Sequence, residues 1–124
     1  MVPFNTLVAQ PRSPYKIVRL SEIDPITEEN TNLKNYVVFP GDESQRFSIY
    51  YLEVQPGYGW ESEMHMRGTI EFITVFSGEL QLSIDKSVFL LKKGESIRFK
   101  ADTPHSYHNV SQESLIFHNI LFNP

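Results

Sequence analysis

A chain of 124 residues with no cysteine, and with 11 Lys and Arg against 15 Asp and Glu for a net charge of −4, rules out disulfides, thiolate metal sites and cysteine nucleophiles. Its basic residues are scattered, Lys92-Lys93 being the adjacent pair, so the sequence lacks the electrostatic footprint of a nucleic-acid binder. With 40% hydrophobic residues, no apolar run near the roughly 20 residues of a membrane span, and no secretory signal, it reads as one soluble, cytoplasmic domain.

Residues 1–15 carry Pro3, Pro11 and Pro14 and read as a linker, with a short helical turn expected over Val2–Val8. The folded domain is expected over 16–124, starting with a first strand at Lys16–Leu20; residues 21–35 are polar and loop-like, broken by Pro25. From Tyr36 the pattern is strand and turn. Tyr36–Phe39 ends at Pro40-Gly41, Phe47–Val54 at Pro56-Gly57, and Ile70–Phe76 runs into Ser77-Gly78. Leu80, Leu82 and Ile84 alternate with Glu79, Gln81 and Ser83, the period of a half-buried strand. Val88–Leu91 follows the Asp85-Lys86 turn, Ile97 and Phe99 alternate again, and His105–Val110 and Leu115–Phe122 complete the set. Eight or nine short strands without a convincing helix predict an all-β sandwich or small barrel.

Two half-motifs carry the chemistry. The first runs Gly59, His65, Glu71, Gly78 and the second Gly94, His105, Asn109, with 15 residues between Gly78 and Gly94, enough for a hairpin that folds one half onto the other. Two imidazoles (His65, His105) and one carboxylate (Glu71) suit a divalent metal such as Zn, Fe, Mn or Ni. The alternative is a set of interior residues that bond only one another and water. Trp60, Phe72, Phe99 and Tyr107 are candidate ligand contacts, since small-molecule pockets are mostly apolar and aromatic; most aromatics in so small a domain are simply core. His108 falls on the face opposite His105, Asn109 suits a turn or strand end, and Glu61 and Glu63 suit a solvated acidic face.

The spacings G-x5-H-x-R-x3-E-x6-G over 59–78 and G-x5-K-x-D-x2-H-x3-N over 94–109 resemble the two motifs of the cupin superfamily. Every interval is kept. The second His of the first motif is Arg67, and the Pro and inner Gly of the second are Lys100 and Asp102. The resemblance covers roughly 36–122 and implies a cupin small β-barrel, or double-stranded β-helix (jelly roll), with ligands pointing inward. At the family's ligand position, Arg67 cannot hold a cation; it suits a carboxylate or phosphate fork, or an outward salt bridge.

Trp60–His65, Gly68–Glu71, Ser77–Leu80 and Ser96–His105 look like the C-terminal cupin domain of Xre-type helix-turn-helix transcription regulators. That narrower likeness implies a small-molecule-sensing module, a helix-turn-helix partner elsewhere in a parent chain, and a homodimer touching through residues near Phe4–Val8 or the strand edge at 36–39. The rival reading is a stand-alone metal-dependent enzyme: a dioxygenase, isomerase or decarboxylase.

Overall fold

The computed structural model describes residues 13–27, 29–63 and 65–124. After a 3-10 turn at Leu20–Glu22, nine strands follow: β1 (Leu33–Phe39), β2 (Phe47–Val54), β3 (Gly59–Ser62), β4 (Ile70–Ser77), β5 (Glu79–Ile84), β6 (Ser87–Lys92), β7 (Ser96–Lys100), β8 (His105–Asn109) and β9 (Leu115–Phe122). They build two sheets, ordered β1-β2-β9-β4-β7 and β3-β8-β5-β6, in which every neighbouring pair is antiparallel. The anticipated hairpin between the two half-motifs is β5–β6, turning at Asp85 in the left-handed region (φ 54°). The strand expected at Lys16–Leu20 does not form. Ile17 is 72% exposed and this stretch pairs with no strand, so its apolar residues have no sheet to lie on. The expected helical turn at Val2–Val8 lies outside the described residues.

Alternation decides what lies between the sheets. On β9, Leu115, Phe117, Asn119 and Leu121 are buried while the residues between them are half-buried; on β4, Glu71, Ile73 and Val75 turn inward. Leu80 and Leu82 of β5 and Tyr107 of β8 meet them from the smaller sheet, and with Leu52, Val54, Leu91 and Phe99 they make one core. The smaller sheet is polar on the outer face of β5 (Glu79, Gln81, Ser83) and β8 (Ser106, His108), while its edge strand β6 exposes Val88 and Leu90. The larger sheet has apolar residues on both faces.

Asn109 and Gly78 show why the motif needs those residue types. The fully buried Asn109 amide donates to Val54 O (3.0 Å) and Glu113 O (2.8 Å), and its oxygen accepts from the Ser111 N–H (3.0 Å) and hydroxyl (2.6 Å). One side chain thus ties the β8–β9 turn to β2 across the molecule. Gly78, at φ 77°, follows a register shift in β4; a Cβ there would sit 2.8 Å from the Leu115 backbone.

Asn109→Leu keeps the volume but removes four hydrogen bonds, one of them to the buried Val54 carbonyl, so it is expected to cost about 1–3 kcal/mol. Urea melts of the two proteins measure it; a loss below about 0.5 kcal/mol would mean that water replaces the amide.

Candidate functional site

Between the sheets lies a cavity of about 190 Å³. Asn35 (β1), Tyr50 and Leu52 (β2) and Asn119 and Leu121 (β9) line it from the larger sheet. Trp60 and Ser62 (β3) and Tyr107 (β8) close it from the smaller one, and His65 and Ile26 reach in from loops. Tyr58, Trp60, Tyr107 and Phe117 stack in a column at ring spacings of 6.0, 4.8 and 6.0 Å, a stiff wall joining the two sheets. Trp60 and Tyr107 meet there because they are directly opposite in the β3–β8 ladder.

Glu71 anchors the site. It projects from β4 with no exposed surface, and its Oε2 accepts from the Tyr107 hydroxyl (2.5 Å) and the Asn119 amide (2.8 Å). Its Oε1 has no hydrogen-bond partner and lies 3.6 Å from Nε2 of His105 and 3.8 Å from Nε2 of His65. The His105 Nδ1 sits 2.7 Å from Thr103 O. A carbonyl only accepts, so Nδ1 carries the proton and, in the neutral ring, Nε2 presents its lone pair toward Glu71. The two imidazoles stack at 5.8 Å, and Phe99 packs edge-on against His105 at 5.2 Å.

Burial pushes the Glu71 carboxyl up to about 7, against the opposing pull of the Tyr107 and Asn119 bonds. The Tyr107 hydroxyl is held well above its ordinary range by burial and then by the Glu71 charge, so it remains a donor. Burial, and secondarily His105, lower the basicity of His65, which favours the unprotonated, ligating form of the ring.

One donor atom from each of His65, Glu71 and His105 falls within 4.8 Å of the others. Donors around a tetrahedral ion with bonds of about 2.1 Å lie about 3.4 Å apart, so a small inward movement completes the set. Two of the three atoms facing one another, Glu71 Oε1 and His105 Nε2, are buried without a partner, and a cation satisfies both at once. The residues fit a divalent ion.

Of the anticipated ligand contacts, Trp60 and Tyr107 line the cavity. Phe99 is in the core behind His105. Phe72 alternates with Glu71 and so takes the outer face of β4, half-buried, paired with Arg98 and Ile120. Arg67 is exposed in the turn between His65 and β4, which is closed by Thr69 N–H to Met66 O (3.0 Å) and Gly68 N–H to Asp102 (2.9 Å). That tight turn carries Arg67 outward. Glu61, Glu63 and His108 are exposed, and His118 is half-buried against Phe76 on the outer face. Sequence reading passed over Asn35, Tyr50 and Asn119. The signal for Asn119 was present: it is the one polar residue in the inward series Leu115, Phe117, Asn119, Leu121.

Residues 50–121 match the model of the Cupin domain family, Cupin_2. The chain is 31% identical over 123 residues to the HTH-type transcriptional regulator SutR of Escherichia coli (strain K12), matching over 99% of its own length and spanning 65% of that protein. It superposes on the crystal structure of the Cupin_2 domain of an XRE family transcriptional regulator from Enterobacter cloacae with a TM-score of 0.72 and 34% identity, over 76% of this chain and 99% of that one. An HTH_3 family transcriptional regulator from Vibrio cholerae gives a TM-score of 0.75 and 30% identity, over 82% of this chain and 56% of that one.

Because the Glu71 carboxyl titrates near 7 in the fold and near 4.5 when free, the folded state holds that proton more tightly, and its contribution to stability falls as pH rises between those values. His65 works the other way, costing stability as pH drops below its ordinary 6.5. In chelator-treated protein, Glu71→Gln is therefore expected to stabilise by about 1–3 kcal/mol near pH 8, with the gain gone near pH 5. Melts of both proteins at the two pH values measure it, and an equal effect at both would show that burial does not perturb this carboxyl.

Proposed function

Because the chain belongs to the cupin family, we propose that it is the small-molecule-sensing module of a transcription regulator whose parent chain carries a helix-turn-helix domain and works in the cytoplasm. The observation that carries this reading is the cavity itself, walled by Trp60 and Tyr107 and by His65 and Asn119, which stand against the partnerless acceptor atoms of Glu71 and His105. At about 190 Å³ it is below the usual range of drug-sized pockets, and suits a small metabolite. No helix among the described residues is long and apolar enough to cross a membrane.

His65, Glu71 and His105 would hold a divalent ion. When bound, it supplies Lewis acidity and a fixed positive anchor for an oxygen on the ligand. The protein's own groups do the rest. Tyr107 and Asn119 fix the Glu71 carboxylate, the Thr103 carbonyl fixes the His105 tautomer, and the aromatic column shields one side of the cavity from water. A ligand regulates only by binding two states unequally, and strands shared between the cavity and a subunit contact give it that opportunity.

The chain is also proposed to pair with a second copy of itself through the outer face of its larger sheet. An antiparallel sheet with one face in water normally alternates apolar and polar residues, yet here Ile49, Tyr51, Phe72, Phe76, Ile120 and Phe122 point away from the core. Five strands about 4.8 Å apart and some eight residues long present roughly 600 Å², close to the about 800 Å² each partner contributes to a standard interface.

Two measurements test these readings. Elemental analysis of protein purified without chelator is expected to find stoichiometric zinc, manganese, iron or nickel in the native chain and little in His105→Ala, and added metal should raise the melting temperature of the native chain alone. Metal in both proteins would remove the assigned ligands; metal-dependent turnover of small acids would favour the enzyme reading instead. Sedimentation equilibrium is expected to give twice the 14.4 kDa chain mass, returning to 14.4 kDa in Tyr51→Lys/Phe72→Lys. A native chain that sediments as a monomer at high micromolar concentration would rule out the pairing.

A further inference from the structure

One part of the cavity wall belongs to neither sheet. Eight of its ten lining residues stand on strands; the other two, Ile26 and His65, come from loops, and the chain holds them differently. His65 is clamped, its N–H donating to Ala101 O (3.1 Å) and its ring stacked on the buried His105. Ile26 sits in the stretch before β1, where no described residue from 13 to 32 is buried and Ile26 itself is 62% exposed. Three hydrogen bonds tie Ile26 and Thr27 down, all to the edge strand β1. They run from Ile26 N–H to Asn35 O (2.8 Å), from Thr27 Oγ1 to Leu33 O (2.7 Å) and from Asn35 N–H to Thr27 Oγ1 (3.0 Å). Pro25, the residue before, has no N–H to add another. Ile26 also lines a surface cleft with Thr27 and residues 29–32, so one residue separates the chamber from the outside. A segment held by edge hydrogen bonds, with no side chain of its own buried, opens at a fraction of the free energy that unfolds a sheet.

We propose that residues 23–27 form a strap that lifts off β1 while both sheets stay folded, and that Ile26 on it controls entry to the cavity and the size of what enters. Seated, Ile26 closes a chamber of about 190 Å³; lifted, it joins that chamber to the surface cleft and admits a longer molecule. Thr27 is the latch, because its one hydroxyl makes two of the three bonds, donating to Leu33 and accepting from Asn35. The strap precedes β1, on the side where the sensor reading puts the DNA-binding domain. A ligand that holds the strap seated or lifted therefore acts on the chain leading to that domain. This last step rests on the sensor reading; the strap does not.

The chain has no cysteine, so one introduced thiol reports access to one place. Leu52→Cys puts it on the cavity wall, where Leu52 is 4% exposed and opposite Asn35 in the β1–β2 ladder. Leu82→Cys puts it in the core, at a residue with no exposed surface that does not line the cavity. Under native conditions, and relative to the urea-unfolded chains, iodoacetamide is expected to label Leu52→Cys about tenfold faster than Leu82→Cys. Thr27→Val is expected to add about another tenfold at Leu52→Cys, the equivalent of two lost hydrogen bonds, and nothing at Leu82→Cys. Leu121→Cys, on the β9 wall, repeats the measurement should Leu52→Cys fold poorly. Equal rates at the two thiols would mean that the cavity opens only when the whole fold does. A Leu52→Cys rate that Thr27→Val leaves alone would put the entrance elsewhere, and one that rises together with Leu82→Cys would make the strap part of the global fold. Each of these results overturns the strap. Ile26→Gly is expected to speed a bulky maleimide more than iodoacetamide, and equal gains would remove the size limit. The labelling uses neither metal nor metabolite, so a strap that opens in a chain that binds neither leaves the strap standing and removes the sensor reading.

Discussion

The structure turns on a carboxylate placed where water cannot reach it. Glu71 sits between two sheets, held on one oxygen by a tyrosine of the smaller sheet and an asparagine of the larger, with its other oxygen held by nothing. An ionised group in that position costs several kcal/mol unless a counter-charge arrives, and the elevated protonation range of this residue expresses the same cost. Around it the chain spends its polar side chains on orientation. Tyr107 and Asn119 aim the acid, Thr103 aims His105, and Asn109 holds the turn from which β9 enters the sheet. A core of this size needs no such acid for stability; leucine in its place would bury more apolar surface at no electrostatic cost. The acid is explained by what it can hold.

The likeness to regulator cupin domains gives this arrangement a setting. The family match covers residues 50–121, which hold the whole His-Glu-His cluster, whereas Asn35 and Ile26, at the cavity's far side, come from outside it. The cluster therefore belongs to the part of the chain shared with the family, and part of the chamber that would choose a ligand lies beyond it. A fold can host many functions, and the difference among its members resides in such walls.

Much of this was legible in the amino-acid order. Eight strands were readable, some by alternation, as in Leu80, Leu82 and Ile84 of β5, and those of the larger sheet by runs of aromatic and β-branched residues closed by Pro-Gly or Ser-Gly turns. The three cluster residues were found because their spacings place them on facing strands and on the loop that follows β3. Other features depend on the third dimension. Lys16–Leu20 has the composition of a strand but no neighbour to pair with, and composition cannot report a missing neighbour. Arg67 fills a ligand position in the spacing, yet a turn closed by Gly68 and Asp102 carries it into solvent. Phe72 has the aromatic character of a pocket residue, but it follows Glu71 on β4, and adjacent residues of a strand face opposite ways. Asn35 went unnoticed because it lies in a stretch that reads as polar loop until β1 is seen to begin at Leu33.

Strand β9 has a further consequence. His118, Asn119 and Ile120 are consecutive, so one backbone carries the amide that reaches Glu71 on its inner side and, on the other, a ring and an aliphatic chain belonging to the sheet's outer surface. The partition between interior chamber and exterior face is a single polypeptide thick. A tug on Asn119 is thus delivered, without any intervening layer to absorb it, to whatever rests against Ile120.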